Sequence, residues 1–306
     1  MKKNARIILS LFLCATASTG LCADKTGTGA AAFLKLPVDA RSAAMGEAVC
    51  AGASGGMALF QNPAGLAGAE DKTVSFSHSL QVQDISYDVL GTAIPLKKLG
   101  VLGVGVQYLQ YGTIDSLDNT GADAGSLSPR DSAFVAGLGR KLGPDVNIGV
   151  AVKYIDSKIS GSASTGAMDF GLQANGEDLT AAFAIQNIGG KLKFNDEAAP
   201  LPTNVKLGVN IPYQEKWQWA VDLNFPNDGG AWLAAGAEYA FEFTGDWKAF
   251  GRAGYNTAAT DTKGVNGISA GLGLAKKSFA FDYAFRTMGL LGMTHHLAVN
   301  YRWGGK

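Results

Sequence analysis

From residue 73 to the end of the chain, apolar side chains alternate with polar or small ones in segment after segment. The alternating apolar positions in one such run are Trp217, Trp219, Val221, Leu223 and Phe225. The same period of two recurs at 146–154, 205–211 and 278–286. This period predicts β-strands that have one apolar face and one small or polar face.

The alternating runs and the Gly, Asn and Asp turns between them predict fourteen strands. They are placed at 73–82, 84–95, 100–111, 131–142, 146–157, 165–175, 178–188, 204–212, 217–225, 231–243, 247–257, 266–275, 278–287 and 294–303. Most have the ~9–11 residues of a tilted transmembrane strand. The number is even, as is usual for bacterial barrels.

The connections between these strands fall into two classes when they are taken alternately. One class is short throughout, whereas the other includes the long segments 112–130, 189–203 and 258–265. Short turns at one rim and long loops at the other are typical of outer-membrane barrels. We therefore predict an all-β fold, a fourteen-stranded antiparallel transmembrane barrel in contact with lipid. A soluble secreted β-sandwich, with the outward aromatic residues as its core, is an alternative.

The parity of the strands places several polar side chains inside the barrel. They are Asp222, Glu238, Asp282, Arg286 and His296. Because unpaired charges away from water are costly, these groups need partners in a filled lumen.

Segment 24–72 is rich in Gly and Ala and is the material available to fill the lumen. We predict that it forms an N-terminal plug, or hatch, and that 73–306 forms the barrel. The candidate plug residues are Gly46, Asn62, Pro63, Gly65 and Leu66.

Residues 1–23 have the parts of a Sec-type export signal. Lys2, Lys3 and Arg6 precede a short apolar run, and cleavage after Ala17 or Ala23 fits the small residues that follow. No other segment reaches ~18 uninterrupted apolar residues. Membrane residence is therefore predicted through a barrel, in the bacterial outer membrane.

Composition removes several classes of function. The 26 Lys and Arg balance the 26 Asp and Glu, so no basic surplus favours nucleic acid. Cys14 and Cys22 lie in or beside the export signal, which leaves Cys50 as the one certain Cys of the mature chain. A single Cys supports neither an internal disulfide framework nor a Cys-based metal cage, and no cofactor or metal is predicted.

Residue types that could support catalysis are present, but their spacing does not favour an enzyme. The neighbours His295 and His296 point to opposite faces of a strand, so they cannot chelate one ion in the usual way. The Gly-x-Gly sequences at 103–105, 137–139 and 271–273 each lie inside a predicted strand without a following helix, so they do not complete a phosphate-binding loop.

The connection at 287–293 is apolar at a rim that should be wet. Its apolar residues are Met288, Leu290, Leu291 and Met293. Exposed apolar surface favours a partner, and folding back over the barrel mouth is the alternative.

Two stretches resemble the N-terminal signature of a known family. Residues 39–46 (DARSAAMG) and 60–66 (FQNPAGL) resemble the PorV/PorQ (UPF0164-like) proteins, which are grouped with FadL-type outer-membrane barrels. Later motifs continue the resemblance over the mature chain, among them 186–189, 236–239, 252–255 and 291–295. Glu47 stands where a small residue is usual, and the chain ends on Trp303-Gly304-Gly305-Lys306 rather than on an aromatic residue.

The resemblance implies a barrel with a hatch and one of two tasks. The first is service in a type IX-like secretion system, in which the barrel binds exported cargo and acts as a shuttle. The second is a FadL-like channel for small hydrophobic solutes. The fold alone does not decide between them.

Overall fold

Fourteen antiparallel strands close into one barrel in the structure, a computed structural model that describes residues 27–304 except 195, 244 and 259–263. The predicted export signal lies outside the described residues. The wall strands are β1 (Lys72–Leu80), β2 (Ser86–Pro95), β3 (Val101–Gln110), β6 (Arg130–Lys141), β7 (Val146–Lys158), β8 (Ser162–Asn175), β9 (Thr180–Gly189), β12 (Asn204–Tyr213), β13 (Trp217–Pro226), β14 (Trp232–Glu242), β15 (Trp247–Asn256), β16 (Asn266–Lys276), β17 (Phe279–Met288) and β18 (Met293–Trp303).

The barrel closes where β1 pairs with β18. Lys72 lies opposite Trp303 and Leu80 lies opposite His295. Each wall strand matches a strand predicted from the sequence, with ends that differ by up to three residues. The fourteen-stranded prediction is confirmed, and the sandwich alternative is wrong because one sheet closes on itself. No helix among the described residues has the length and hydropathy needed to cross a membrane.

Two small hairpins lie in segments that the sequence analysis treated as loops. They are β4 (Ile114–Leu117) with β5 (Asp123–Leu127), and β10 (Lys191–Phe194) with β11 (Glu197–Pro200). Their strands are too short to show a clear period, which is why the pattern did not predict them. Both belong to the rim with the long connections, here called the long-loop rim; the opposite rim, where turns have two to five residues, is called the short-turn rim.

Large apolar side chains point outward along the wall. On β17, for example, Phe279, Phe281 and Tyr283 are exposed while Asp282 and Ala284 are buried. Aromatic rings stack near the short-turn rim, with Trp217 and Trp219 at 5.4 Å between centroids and Tyr301 and Trp303 at 5.5 Å. Such a girdle is typical of a barrel at the lipid–water boundary.

Residues 27–71 form short helical pieces inside the wall. They are a 3-10 helix Ala32–Lys35, α1 (Ala40–Ala44), a 3-10 helix Gly55–Met57, α2 (Ala58–Gln61) and a 3-10 helix Pro63–Gly68. Helix α1 packs on β15–β18, Gly55–Met57 on β1–β3, and Pro63–Gly68 on β3 and β6–β8. One segment thus contacts strands on several sides of the barrel.

Candidate functional site

The turn of chain at 39–47 is built from local caps. Asp39 caps α1, because its carboxylate accepts from the Ser42 backbone at 2.7 Å and the Asp39 backbone donates to Ser42 Oγ at 3.2 Å. Gly46 then adopts a φ of 64°, which favours glycine and ends the helical turn. The two charged side chains that remain, those of Arg41 and Glu47, point to the wall.

Asn62 joins two parts of the plug. Its side-chain oxygen accepts from the Ala64 backbone at 3.1 Å and so caps Pro63–Gly68, with Pro63 at the first helical position. Its Nδ2 donates to the Cys50 carbonyl at 3.0 Å. Asn62 is fully buried. This predicted plug residue therefore links two plug segments by hydrogen bonds away from water. Burial also raises the pKa of the Cys50 thiol.

Inward-facing glycines let the wall approach the plug backbone. A β-carbon at Gly236 would lie 2.5 Å from the Met45 carbonyl oxygen, and one at Gly271 would lie 2.6 Å from the Ala44 β-carbon. Among the predicted plug residues, Leu66 packs against the wall glycines Gly103 and Gly139, whereas Gly65 lies against Ala53 within the plug itself. Close contact between plug and wall thus accounts for many of the inward-facing glycines.

Asp222 fastens the middle of the plug to β13. Its Oδ2 accepts from the backbone N–H groups of Val49 at 2.9 Å and Cys50 at 2.8 Å. The side chain is fully buried, and its Oδ1 has no hydrogen-bond partner among the described residues.

A buried charge network joins the plug to β14, β15 and β17. Glu238 contacts Arg252 at 2.5 Å and Arg41 at 3.1 Å, and Arg252 contacts Asp282 at 2.6 Å. Burial lowers the pKa of Arg41, but the Glu238 carboxylate more than offsets this, so the pKa lies above its ordinary value. Two of the predicted lumen residues, Glu238 and Asp282, are brought together in this network.

A second set of polar contacts lies nearer the long-loop rim. Arg286 Nη1 contacts Glu47 at 2.6 Å, and Asn256 donates to the Gly46 carbonyl at 3.2 Å. Lys35 pairs with the buried Asp228 at 2.7 Å. The Arg286 Nε has no partner among the described residues. Arg41 and Glu47 are not among the lumen residues predicted from the sequence. The signal that could have identified them is their charge within a segment of mostly small residues.

His296 lies apart from both networks. Its Nδ1 is 2.8 Å from Ser79 Oγ and its Nε2 is 3.0 Å from Thr294 Oγ1, and the ring is fully buried. His295 faces outward beside Tyr283. Across the described residues, no group of three His, Cys, Asp or Glu side chains is placed to hold a metal ion.

Cavities lie on both sides of the plug. One of about 430 Å³ opens toward the long-loop rim, where Lys206, Trp232 and Arg286 are among its lining residues. Two of about 510 and 490 Å³ lie toward the short-turn rim and share Arg41 and Glu238. The plug separates these spaces.

The apolar connection after β17 stands at the long-loop rim. Leu290, Leu291 and Met293 are exposed by 80, 57 and 55 %, whereas Met288 is half-buried and lines the cavity on that side. Val265 is also exposed and accepts from the Gly289 backbone at 3.1 Å, which extends the patch to the neighbouring loop.

Comparison with known proteins identifies relatives of this arrangement. The family model described as "Type IX secretion system protein PorV" matches residues 22–225, more than half of the chain. No curated protein matches.

Solved structures share the fold at low identity. The Ralstonia pickettii toluene transporter TbuX is 13 % identical with a TM-score of 0.60, covering 87 % of this chain and 98 % of its own. The P. putida toluene transporter TodX is 12 % identical with a TM-score of 0.58, covering 86 % and 99 %. A Pseudomonas aeruginosa FadL homologue is 11 % identical with a TM-score of 0.57, covering 88 % and 99 %. The chain belongs to the PorV family of outer-membrane β-barrels.

Proposed function

We propose that this barrel binds exported proteins at the outer face of the outer membrane, as the cargo-binding or shuttle component of a type IX-like secretion system. The proposal rests on the family model, whose description names that system. Three features of the barrel support it.

The first feature is a lumen filled by a firmly held plug. Arg41, Glu47 and the backbone at Val49 and Cys50 are tied to three different wall strands, β14, β17 and β13. Lys35 pairs with Asp228 in the loop after β13. A barrel held shut in this way suits a protein that binds cargo rather than one that lets a polypeptide pass.

The second feature is the cavity above the plug, which is open to the long-loop side. Long loops of such barrels face the outside of the cell. The cavity combines apolar walls, such as Leu36, Phe60 and Trp232, with the cationic side chains of Lys206 and Arg286. A peptide loop or chain end of a folded cargo domain fits a space with this mixture.

The third feature is the apolar patch of Val265, Leu290, Leu291 and Met293, beside that cavity. On the same outer face, the pairs His78–Asp88 and Tyr283–His295 lie closer to the membrane than the tip of this hairpin. The apolar tip lies beyond the ends of β17 and β18, at the long-loop rim. Apolar surface in that position favours a protein partner.

Site-specific photo-crosslinking tests the proposal. A photoreactive phenylalanine at Leu290 should capture exported proteins in intact cells, whereas the same group at Leu272, which is 68 % exposed on the lipid-facing side of β16, should not. A double variant, Leu290→Ser with Leu291→Ser, should lower the recovery of co-purified exported protein; Leu142→Ser at the opposite rim serves as the control. Equal capture at Leu290 and Leu272 would refute the proposal.

A second candidate function is passage of small hydrophobic solutes. Two of the similar solved structures, TodX and TbuX, are described as toluene transporters. An apolar cluster also lies near the long-loop rim of this chain, with Phe33, Tyr87, Leu109, Ile155, Leu192 and Leu201 all buried. If this candidate is right, deletion of 30–68 should abolish selective uptake of such a solute in liposomes. Unaltered uptake would exclude it.

A further inference from the structure

Gln61 ends helix α2 at the boundary between two cavities. This residue lines the cavity toward the long-loop rim and also a cavity toward the short-turn rim. It is 7 % exposed. A single residue therefore borders the space on both sides of the plug.

The Gln61 backbone is held, but its amide group is not. Gln186 Nε2 donates to the carbonyl oxygens of Phe60 at 2.7 Å and Gln61 at 3.0 Å. The Gln61 side-chain amide, by contrast, makes no hydrogen bond with any described residue, and the residue borders both cavities. No protein hydrogen bond must break for this side chain to turn.

The two cavities lie on the same side of the barrel, and charged side chains are part of the lining of each. Toward the long-loop rim the charged lining includes Glu47, Lys206 and Arg286; toward the short-turn rim it includes Asp39 and Arg41. These residues belong to the plug and to β12–β18. The opposite half of the lumen near the long-loop rim is filled by the apolar cluster around Phe33 and Ile155.

We propose that Gln61 is the gate of a narrow polar passage beside the plug, which conducts water and small inorganic ions across the barrel. Charges of both signs line the route, so cations and anions both find favourable contacts. The passage opens when the Gln61 amide turns toward either cavity. This activity is independent of cargo binding at the outer rim.

Two-sided labelling tests the passage. Gln61→Cys is introduced into a full-length chain whose native cysteines are replaced by Ser, and the barrel is placed in liposomes in one orientation. A membrane-impermeant methanethiosulfonate reagent should modify the new thiol from either side. Cysteine at Trp232 should react from the long-loop side alone, and cysteine at Asn175 from the short-turn side alone, since each borders one cavity.

Conductance in planar bilayers tests the gate. Gln61→Ala should raise ion conductance several-fold over the unaltered barrel, and Gln61→Met, which has similar length and no polar amide, should lower it. Asn175→Ala also shortens a polar side chain at a cavity, but at a cavity that Gln61 does not line, and it should leave conductance unchanged. Heat-modifiable migration in detergent gels confirms that each variant is folded. Labelling of Gln61→Cys from one side alone, or equal conductance for Gln61→Ala and the unaltered barrel, would overturn the proposal.

Discussion

Asn62 is the residue on which the integrity of the plug depends most clearly, and Asn62→Ala is the perturbation that tests this. The substitution removes the cap of Pro63–Gly68 and the donor to the Cys50 carbonyl in one step. It introduces no steric conflict, because alanine is smaller and the opposing wall residue is Gly171. The barrel strands keep their own hydrogen bonds.

The expected cost follows from the groups left without partners. Loss of an N-cap typically costs about 1 kcal/mol. A buried carbonyl without a donor costs about 1–3 kcal/mol. Local opening of the plug should therefore become easier by about 2–4 kcal/mol. Since 1.4 kcal/mol corresponds to tenfold, exchange through that opening should speed up by roughly 30- to 1000-fold.

Hydrogen–deuterium exchange read by mass spectrometry measures this effect segment by segment. Peptides from 40–69 should exchange faster in Asn62→Ala, whereas peptides from the wall strands should be unchanged, because local opening and global unfolding are separate processes. Asn119→Ala, in an exposed turn, is the matched control. The faster opening should also increase leakage of a small solute from liposomes.

The reasoning fails if exchange of 40–69 is unaltered in Asn62→Ala. It also fails if wall and plug accelerate together, since that would mean that Asn62 stabilises the barrel as a whole.

Three further substitutions test separate plug and wall contacts. Gly254→Ala should lower the temperature of the heat-modifiable gel shift, because the new β-carbon would overlap the plug backbone and lower stability by about 1–3 kcal/mol. Gly251→Ala, on the outward face of β15, should be neutral; equal effects would refute the contact. Asp222→Ala should speed maleimide labelling of the buried Cys50 thiol, because two backbone N–H groups lose their acceptor at a cost of about 1–3 kcal/mol each. Asp222→Asn should have a smaller effect; slow labelling in both variants would show that Asp222 does not hold this part of the plug. Arg252→Met should cost about 3–5 kcal/mol, because Asp282 loses its cationic partner and Glu238 keeps only Arg41. Adding Asp282→Leu should recover part of the heat stability; no recovery would show that the Arg252–Asp282 pair is not the cause.

The wall was predictable because lipid on one side imposes a strict period of two. Trp217 to Phe225 alternates along its whole length, and a slip of one residue would expose its polar face to lipid. The strand count followed, together with the distinction between short and long connections. The period of two does not predict the hairpins in 112–130 and 189–203, because these segments lie at the long-loop rim, where lipid does not impose an apolar face.

The plug was predictable in place but not in its contacts. Caps such as Asp39 with Ser42 are local, so the sequence carries them within a few residues. Arg41 and Glu238, in contrast, are 197 positions apart, and no local pattern links them. The same holds for the bulge at Asn187, whose φ of 58° is imposed by contacts with Lys153 and Asp169.

Glu47 departs from the family pattern, and its ion pair with Arg286 on the distant strand β17 explains the departure. A small residue at 47 would leave the largely buried Arg286 guanidinium without a carboxylate, which is costly away from water. The acid at 47 and the base at 286 are therefore one feature, even though 239 positions separate them. Glu47 also has a φ of 72°, in the left-handed region that non-glycine residues seldom adopt. The paired charges thus fix the position of the plug against particular wall strands, which close packing on glycine alone does not do.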